Sequence, residues 1–199
     1  MANTAVKGIQ PYAVKGGGSI TYRRGRVLTN NTTAIFLYDT VIRVATGDYT
    51  VQATGTTLSQ GSANGCVYTD AAGTRREAKF LPAATLYTST GVAPDNASYV
   101  YLVDNLVNTS FRASVDAAIA LTDLNLNYAV TLTAGSLTTG LSGFELTATG
   151  RAVTATIPFR VEQFIIGDPL VDVDAAHASV ICYANCTADE PALSASLGV

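Results

Sequence analysis

Asp168, Asp172, Asp174 and His177 form the densest group of ionisable side chains in this 199-residue chain. On a strand Asp172 and Asp174 would share a face, and carboxylates beside an imidazole are donors for divalent cations. The spacing matches no regular Ca²⁺ loop, and Pro169 separates Asp168 from the rest, so the group reads as a solvated acidic loop. His177, Cys182 and Cys186 offer three zinc donors, one short of a closed structural site. Cys186 as a nucleophile with His177 as its base is a second conceivable chemistry, resting on the single histidine of the chain. A Cys182–Cys186 disulfide is within geometric reach. However, the three cysteines are an odd number, and Met1–Gly8 lacks the apolar core of a signal peptide, so Cys66, Cys182 and Cys186 are expected to be reduced thiols. Gly16-Gly17-Gly18 lacks the Lys-Ser/Thr and helix of a phosphate loop, and no serine sits in a Gly-x-Ser-x-Gly elbow. The sequence therefore assigns no catalytic, cofactor or metal residues, and a non-enzymatic protein is expected.

The elements around these residues read as β-structure. Only 14% of residues are charged and 48% are hydrophobic, with abundant Thr and Val whose branched side chains suit pleated surfaces. So weakly charged a surface favours association. The charge is also segregated. Residues 1–80 hold nine Lys/Arg and four acidic residues, and residues 81–199 hold three and eleven. Either the basic part is steered onto an acidic surface, of a neighbouring copy for instance, or the charges pair within the fold.

Residues 1–26 read as an extended arm, because Gly16-Gly17-Gly18 breaks any regular element before Arg23-Arg24-Gly25-Arg26. That cluster is too short and too poor in stacking aromatics for nucleic acid, so a protein neighbour is the expected target. No segment has the length of a transmembrane helix, and neither nucleic acid nor membrane is an expected partner. Ala34–Tyr38 is apolar enough for a buried strand, and Val41–Ala45 and Tyr49–Ala53 flank a hairpin loop at Thr46-Gly47-Asp48. Ser98–Asp104 is apolar on both faces, which places it in a sheet interior or an interface, with Tyr99 and Tyr101 in the core or at a contact. Residues 113–126 carry Val115, Ile119 and Leu124 at helical spacing, with Ser114 and Asp116 as caps, and predict one short helix. In Ile157–Gly167 the alternation breaks at Phe164, Ile165 and Ile166, which a bulge or a passage from half-exposed to fully buried chain would explain. A last strand is expected over residues 178–184, and residues 191–199 read as a tail. The expected architecture is mostly β, a barrel or sandwich of short antiparallel strands spanning residues 27–190.

Gly65–Pro82 is the clearest hairpin: Val67, Tyr68 and Thr69, a turn opened by Asp70 and closed by Gly73, then a strand stopped by Pro82. Its Arg75, Arg76 and Lys79 join Arg23, Arg24 and Arg26 as candidate contact residues.

The same hairpin, continuing as Phe80-Leu81-Pro82-Ala83-Ala84-Thr85, resembles a block in small structural proteins encoded beside the capsid genes of aquatic tailed phages. Thr33–Val41, Ala97–Asp104 with Thr109-Ser110-Phe111, Leu121–Asn127 and Thr138–Leu146 resemble further blocks of that family in the same order. The chain departs at Tyr38-Asp39-Thr40, where the relatives have a Gly-Asp-Pro turn, and at Leu81, where an aromatic is usual. The resemblance implies a virion component made in the bacterial host cytoplasm: a decoration or cement protein on the outer capsid surface. Its implied partners are the major capsid protein and further copies of itself in a dimer or trimer. Arg23, Arg24 and Arg26 would then reach neighbouring capsid subunits, and removal of residues 1–26 would spare the β-domain. The alternatives are a tail or fibre-base component, or a glycan-binding or hydrolytic β-domain using Asp168, Asp172 and Asp174.

Overall fold

The computed structural model describes residues 5–27, 31–83, 98–154, 156–165 and 175–185. The predicted tail and the candidates Asp168, Asp172, Asp174 and Cys186 lie outside the described residues. The described chain contains twelve strands: β1 (Gln10–Val14), β2 (Tyr22–Arg26), β3 (Thr40–Arg43), β4 (Tyr49–Val51), β5 (Gly61–Thr69), β6 (Arg75–Ala78), β7 (Tyr99–Val103), β8 (Thr109–Ser114), β9 (Asn127–Thr131), β10 (Glu145–Ala152), β11 (Phe159–Phe164) and β12 (Ser179–Ala184). They form two antiparallel sheets, ordered β1-β8-β12-β11-β9-β10 and β2-β7-β5-β3-β4, with β6 paired to β5 outside the second path.

Each sheet curls until distant strands touch at one parallel bridge, Val115 with Leu146 in the first and Val27 with Tyr49 in the second. Neither closes into a barrel. Curling wraps each sheet around its own apolar filling. Phe111, Tyr128, Phe159, Leu146 and Val161 lie in the first core. Val27, Ile35, Val41, Leu81, Val100 and Leu102 lie in the second. At the seam of the first sheet, the Asp116 carboxylate accepts from the Ala148 amide and the Thr131 hydroxyl, both at 2.8 Å.

The two sheets are stitched together by residues 35–39. Ile35 exchanges backbone hydrogen bonds with Leu81, Leu37 with Gly140 and Ser142, and Tyr38 bonds to Ala63 while accepting from Ile9. This is the run expected to be a buried strand. Within Ala34–Tyr38, Ile35 and Phe36 are buried and the other residues half-buried, but successive residues bond to different partners, so no continuous ladder forms. Tyr38 takes a left-handed φ of 73°. That is a conformation L side chains enter only at a cost.

The extended arm is not present as expected. Residues 10–14 are β1, paired to β8, and residues 22–26 are β2, paired to β7. Gly16-Gly17-Gly18, all at positive φ, is the crossover that carries the chain from one sheet to the other. Charged residues at an exposed edge strand read like a loop in sequence, because only one face of the strand is buried. The short helix is also corrected. Thr109–Ser114 is β8, and within residues 113–126 helical geometry is confined to one 3₁₀ turn, Leu121–Asp123. Val115 and Ile119 are buried as their apolar character requires, but from extended chain. Ser114 and Asp116 cap no helix: Ser114 Oγ accepts from the Val6 amide at 2.6 Å, and Asp116 holds the seam. β11 does carry an irregularity, but the register against β12 shifts between Val161 and Gln163, within the part that alternates in sequence and before the expected break at Phe164.

Candidate functional site

The Gly65–Pro82 hairpin is organised by one carboxylate. Asp70 Oδ1 accepts from the amides of Ala72 (3.0 Å) and Thr74 (2.9 Å), and Oδ2 accepts from Arg76 Nε (2.8 Å). These bonds hold the Asp70 carboxyl below its usual pKa, the Arg76 contact being the largest cause. The turn ends on Gly73 at φ 81°, a left-handed position with nothing near enough to obstruct a side chain. Gly73→Ala is therefore expected to destabilise the protein by about 1 kcal/mol through the backbone alone. Urea denaturation checks this, and an unchanged midpoint would contradict the turn geometry.

β7 lies between β2 and β5, and β5 in turn carries β6, so register decides which side chains share a face. Arg24 pairs with Tyr101, Arg26 with Tyr99, Tyr99 with Val67, Val67 with Glu77, and Thr69 with Arg75. Directly opposed residues point to the same side of a sheet. One face of the second sheet thus presents Arg24 and Arg26, then Tyr99 and Tyr101, then Arg75 and Glu77. The other face carries Gly25, Val100, Leu102 and Cys66 into the core. Gly25 lacks a side chain for a packing reason, since a Cβ there would lie 2.7 Å from Leu102 and Tyr49 atoms.

On the solvent face the arginines stack on the tyrosines. The Arg24 guanidinium lies 5.7 Å from the Tyr101 ring centroid, and that of Arg75 lies 5.9 Å from the Tyr99 centroid. Such cation–π contacts orient long side chains that otherwise sample many rotamers. The Tyr101 hydroxyl donates to Glu77 at 3.0 Å, and Arg26 is ion-paired with the buried Asp48. Beside Tyr101 the ladder is interrupted by a bulge at Asn64-Gly65, which opens a concavity of about 340 Å³ bounded also by Leu37, Glu77, Ala78 and Lys79. Bulges of this kind re-aim side chains at functional surfaces. Here Gly65, at φ 99°, leaves the space under the Tyr101 ring.

Of the six candidate contact residues, Arg24, Arg26 and Arg75 thus share one face, with Lys79 at its rim. Arg23 and Arg76 fall on the opposite side of their strands. Arg23 covers the edge of the buried Tyr49 at 5.8 Å from its ring, and Arg76 is held by Asp70. Tyr99 and Tyr101 are half-buried and face outward, which corrects the reading of Ser98–Asp104 as apolar on both faces and of these two rings as core residues. The signal for this was in the chain: in Tyr99-Val100-Tyr101-Leu102 the hydroxyl-bearing rings alternate with aliphatic side chains, the period of a strand wet on one face. Glu77 and the Asn64-Gly65 bulge carried no comparable signal.

The alternative chemistries find no support in the geometry of the described residues. Cys182 is fully buried in the first core and its thiol is pushed up in pKa by desolvation. Cys66 is buried in the second core and pushed up to about 12, also mainly by desolvation. Both are free thiols, without the positive surroundings that make a reactive thiolate. His177 Nδ1 lies 2.7 Å from Glu145 Oε1, a link between the starts of β10 and β12. Among the described residues no group of His, Cys, Asp and Glu is arranged to hold a metal ion.

The fold and this face define an all-β protein of two curled sheets with an aromatic and basic outer surface. Compared with known protein families, curated proteins and solved structures, the chain matches none.

Proposed function

We propose that this chain is a structural virion protein, a capsid decoration (cement) protein that binds the outer head surface and stabilises the major-capsid lattice. The observation that carries the reading is the Arg24–Tyr101–Tyr99–Arg75 face. Tyr and Arg are the residues that dominate protein–protein interfaces, and here they are held in place by stacking. The ordered resemblance from Thr33 to Leu146 supplies the virion context. The action would be mass action: a protein that binds the assembled lattice in preference to free subunits raises the lattice's stability.

The test is to incubate heads lacking this protein with the purified chain and count bound copies. Hundreds of copies per particle on the head, with heads surviving higher temperature, are expected. The pair Arg24→Glu and Arg75→Glu is expected to lower occupancy at least about tenfold, because each replacement turns an attraction into a like-charge contact. A few copies located at the tail by electron microscopy would instead establish the tail or fibre-base alternative.

A further inference from the structure

We infer that Asn64-Gly65 is a self-modification site, at which the Gly65 backbone nitrogen closes on the Asn64 side chain and converts it, without an enzyme, to isoaspartate and aspartate. Conversion there loosens the join between β5 and β7. The inference is independent of the proposed function.

Asparagine is among the chemically labile residues, and the step that makes it so is internal. The amide nitrogen of the next residue gives its proton to solvent and attacks the side-chain carbon Cγ. A Cγ–N bond forms, the Cγ–Nδ2 bond breaks, and Nδ2 leaves as ammonia with a proton from water. The product is a five-membered succinimide. Water then adds to either ring carbonyl. One opening leaves aspartate; the other leaves isoaspartate, with the backbone rerouted through Cγ. No oxidant or reductant is involved. A side chain on the following residue crowds the attacking nitrogen, and a carboxamide held by hydrogen bonds cannot turn toward it. The step is therefore favoured where glycine follows and the carboxamide is unheld.

Asn64-Gly65 is the one Asn-Gly pair in the chain. The structure adds three observations. First, the pair is the bulge of β5: the register against β7 shifts between Ala63 and Cys66, so two residues stand opposite Tyr101 alone. A regular ladder holds a strand rigid, and a bulge interrupts it. Gly65 also takes a left-handed φ of 99°, outside extended geometry. Second, the Asn64 side chain has no hydrogen-bond partner among the described residues. By contrast, Asn31, Asn127 and Asn185 each donate from Nδ2 to a fixed acceptor. Third, Asn64 and Gly65 are half-buried and line the concavity of about 340 Å³ beside Tyr101, which gives water a route in and ammonia a route out. Isoaspartate would add a carbon to the backbone between Ala63 and Cys66, both buried in the second core. Either product would also set a new carboxylate among the groups around Glu77, which already accepts from the Tyr101 hydroxyl.

The experiment is incubation of the full chain at about pH 8.5 and about 37 °C, folded and in about 8 M urea, followed by intact mass and peptide mapping. In the folded chain a gain of about 1 Da is expected, mapped to Asn64 as isoaspartate with aspartate, at a rate within about tenfold of that in urea. It should run ahead of any change at Asn31, Asn127 or Asn185. Asn64→Gln should slow the gain at least about tenfold, because glutamine must close a larger ring. Mapping of the unaltered chain keeps the question answerable if that variant misfolds. The converted chain should unfold at a lower urea concentration than the fresh one. An Asn64 that stays intact in the folded chain while converting in urea, or that lags behind Asn31, Asn127 or Asn185, overturns the inference. A converted chain with an unchanged urea midpoint overturns the loosening of β5 against β7.

Discussion

Deleting residues 1–26 is expected to abolish cooperative folding. The segment contributes β1 to the edge of the first sheet and β2 to the edge of the second, each through a ladder of paired residues. It also contributes Ile9, which is fully buried, and the Val6 amide that bonds to the buried Ser114 hydroxyl. Truncating Ile9 to Ala alone should cost about 3 kcal/mol, the usual penalty for emptying a buried aliphatic site. Removing β2 as well uncovers the ladder edge of β7 and the Leu102–Tyr49 packing that Gly25 fits against. Together these losses rival the roughly 5–15 kcal/mol by which a domain is stable. Thermal unfolding followed by circular dichroism should show no sharp transition for the truncated chain, together with strong binding of a hydrophobic dye. A truncated protein that melts cooperatively near the full-length temperature would show that the two N-terminal strands are dispensable. The same result governs how the arginines are tested, because point replacement at Arg24 probes the face while truncation destroys it.

Replacing Asp39 by Asn is expected to stabilise the protein at pH 8 and to do little at pH 4. Asp39 is 1% exposed and lies in the 35–39 stitch between the sheets. Its Oδ2 accepts from the Phe36 amide at 2.8 Å, and its Oδ1 has no hydrogen-bond partner among the described residues. Burial pushes the carboxyl to about 7, against the smaller opposing pull of the nearby Ser142 hydroxyl and the Phe36 amide. Between pH 4 and 7 the folded state therefore holds a proton that the unfolded state has released. Stability must fall as pH rises through that window and level off above it. A rise of about three pH units corresponds to roughly 4 kcal/mol at most, an order-of-magnitude figure. Asn preserves the acceptor for Phe36 and carries no charge. The variant should thus gain about 2–4 kcal/mol at pH 8, which for a chain of this size is a melting temperature higher by roughly 4–16 °C. Near pH 4 the two proteins should coincide. Urea unfolding of both across pH 4–8 isolates the Asp39 contribution, since every other titrating group is shared. Equal stability at pH 8 would mean that the carboxylate is accommodated by solvent.

The strands were legible where an apolar run of about five residues was bounded by turn chemistry. Tyr99–Val103 and Ser179–Ala184 needed only a run of β-favouring residues, and the Asp70–Gly73 hairpin a glycine at the right place. The irregularity in β11 was not legible in place: the register shifts between Val161 and Gln163, where the sequence still alternates. Nor were the N-terminal strands. Gln10–Val14 and Tyr22–Arg26 are held by partners about a hundred and about eighty residues away, and their own residues carry little apolar signal. Residues 113–126 misled in the opposite direction, since Val115 and Ile119 meet the core equally well from extended chain, and local spacing does not register which neighbour pairs with the backbone.

For the candidate face, the sequence by itself determined the ingredients: two arginine clusters some fifty residues apart, a Tyr-x-Tyr strand, and a charge imbalance between the two parts of the chain. Tertiary structure alone decided that β7 lies between β2 and the β5–β6 hairpin, so that Arg24, Arg26 and Arg75 meet around Tyr99 and Tyr101 while Arg23 and Arg76 turn away. The reason is physical. Side-chain type is a local property, but the face a side chain occupies is set by ladder register, and a shift of one residue would turn every one of these groups to the other side.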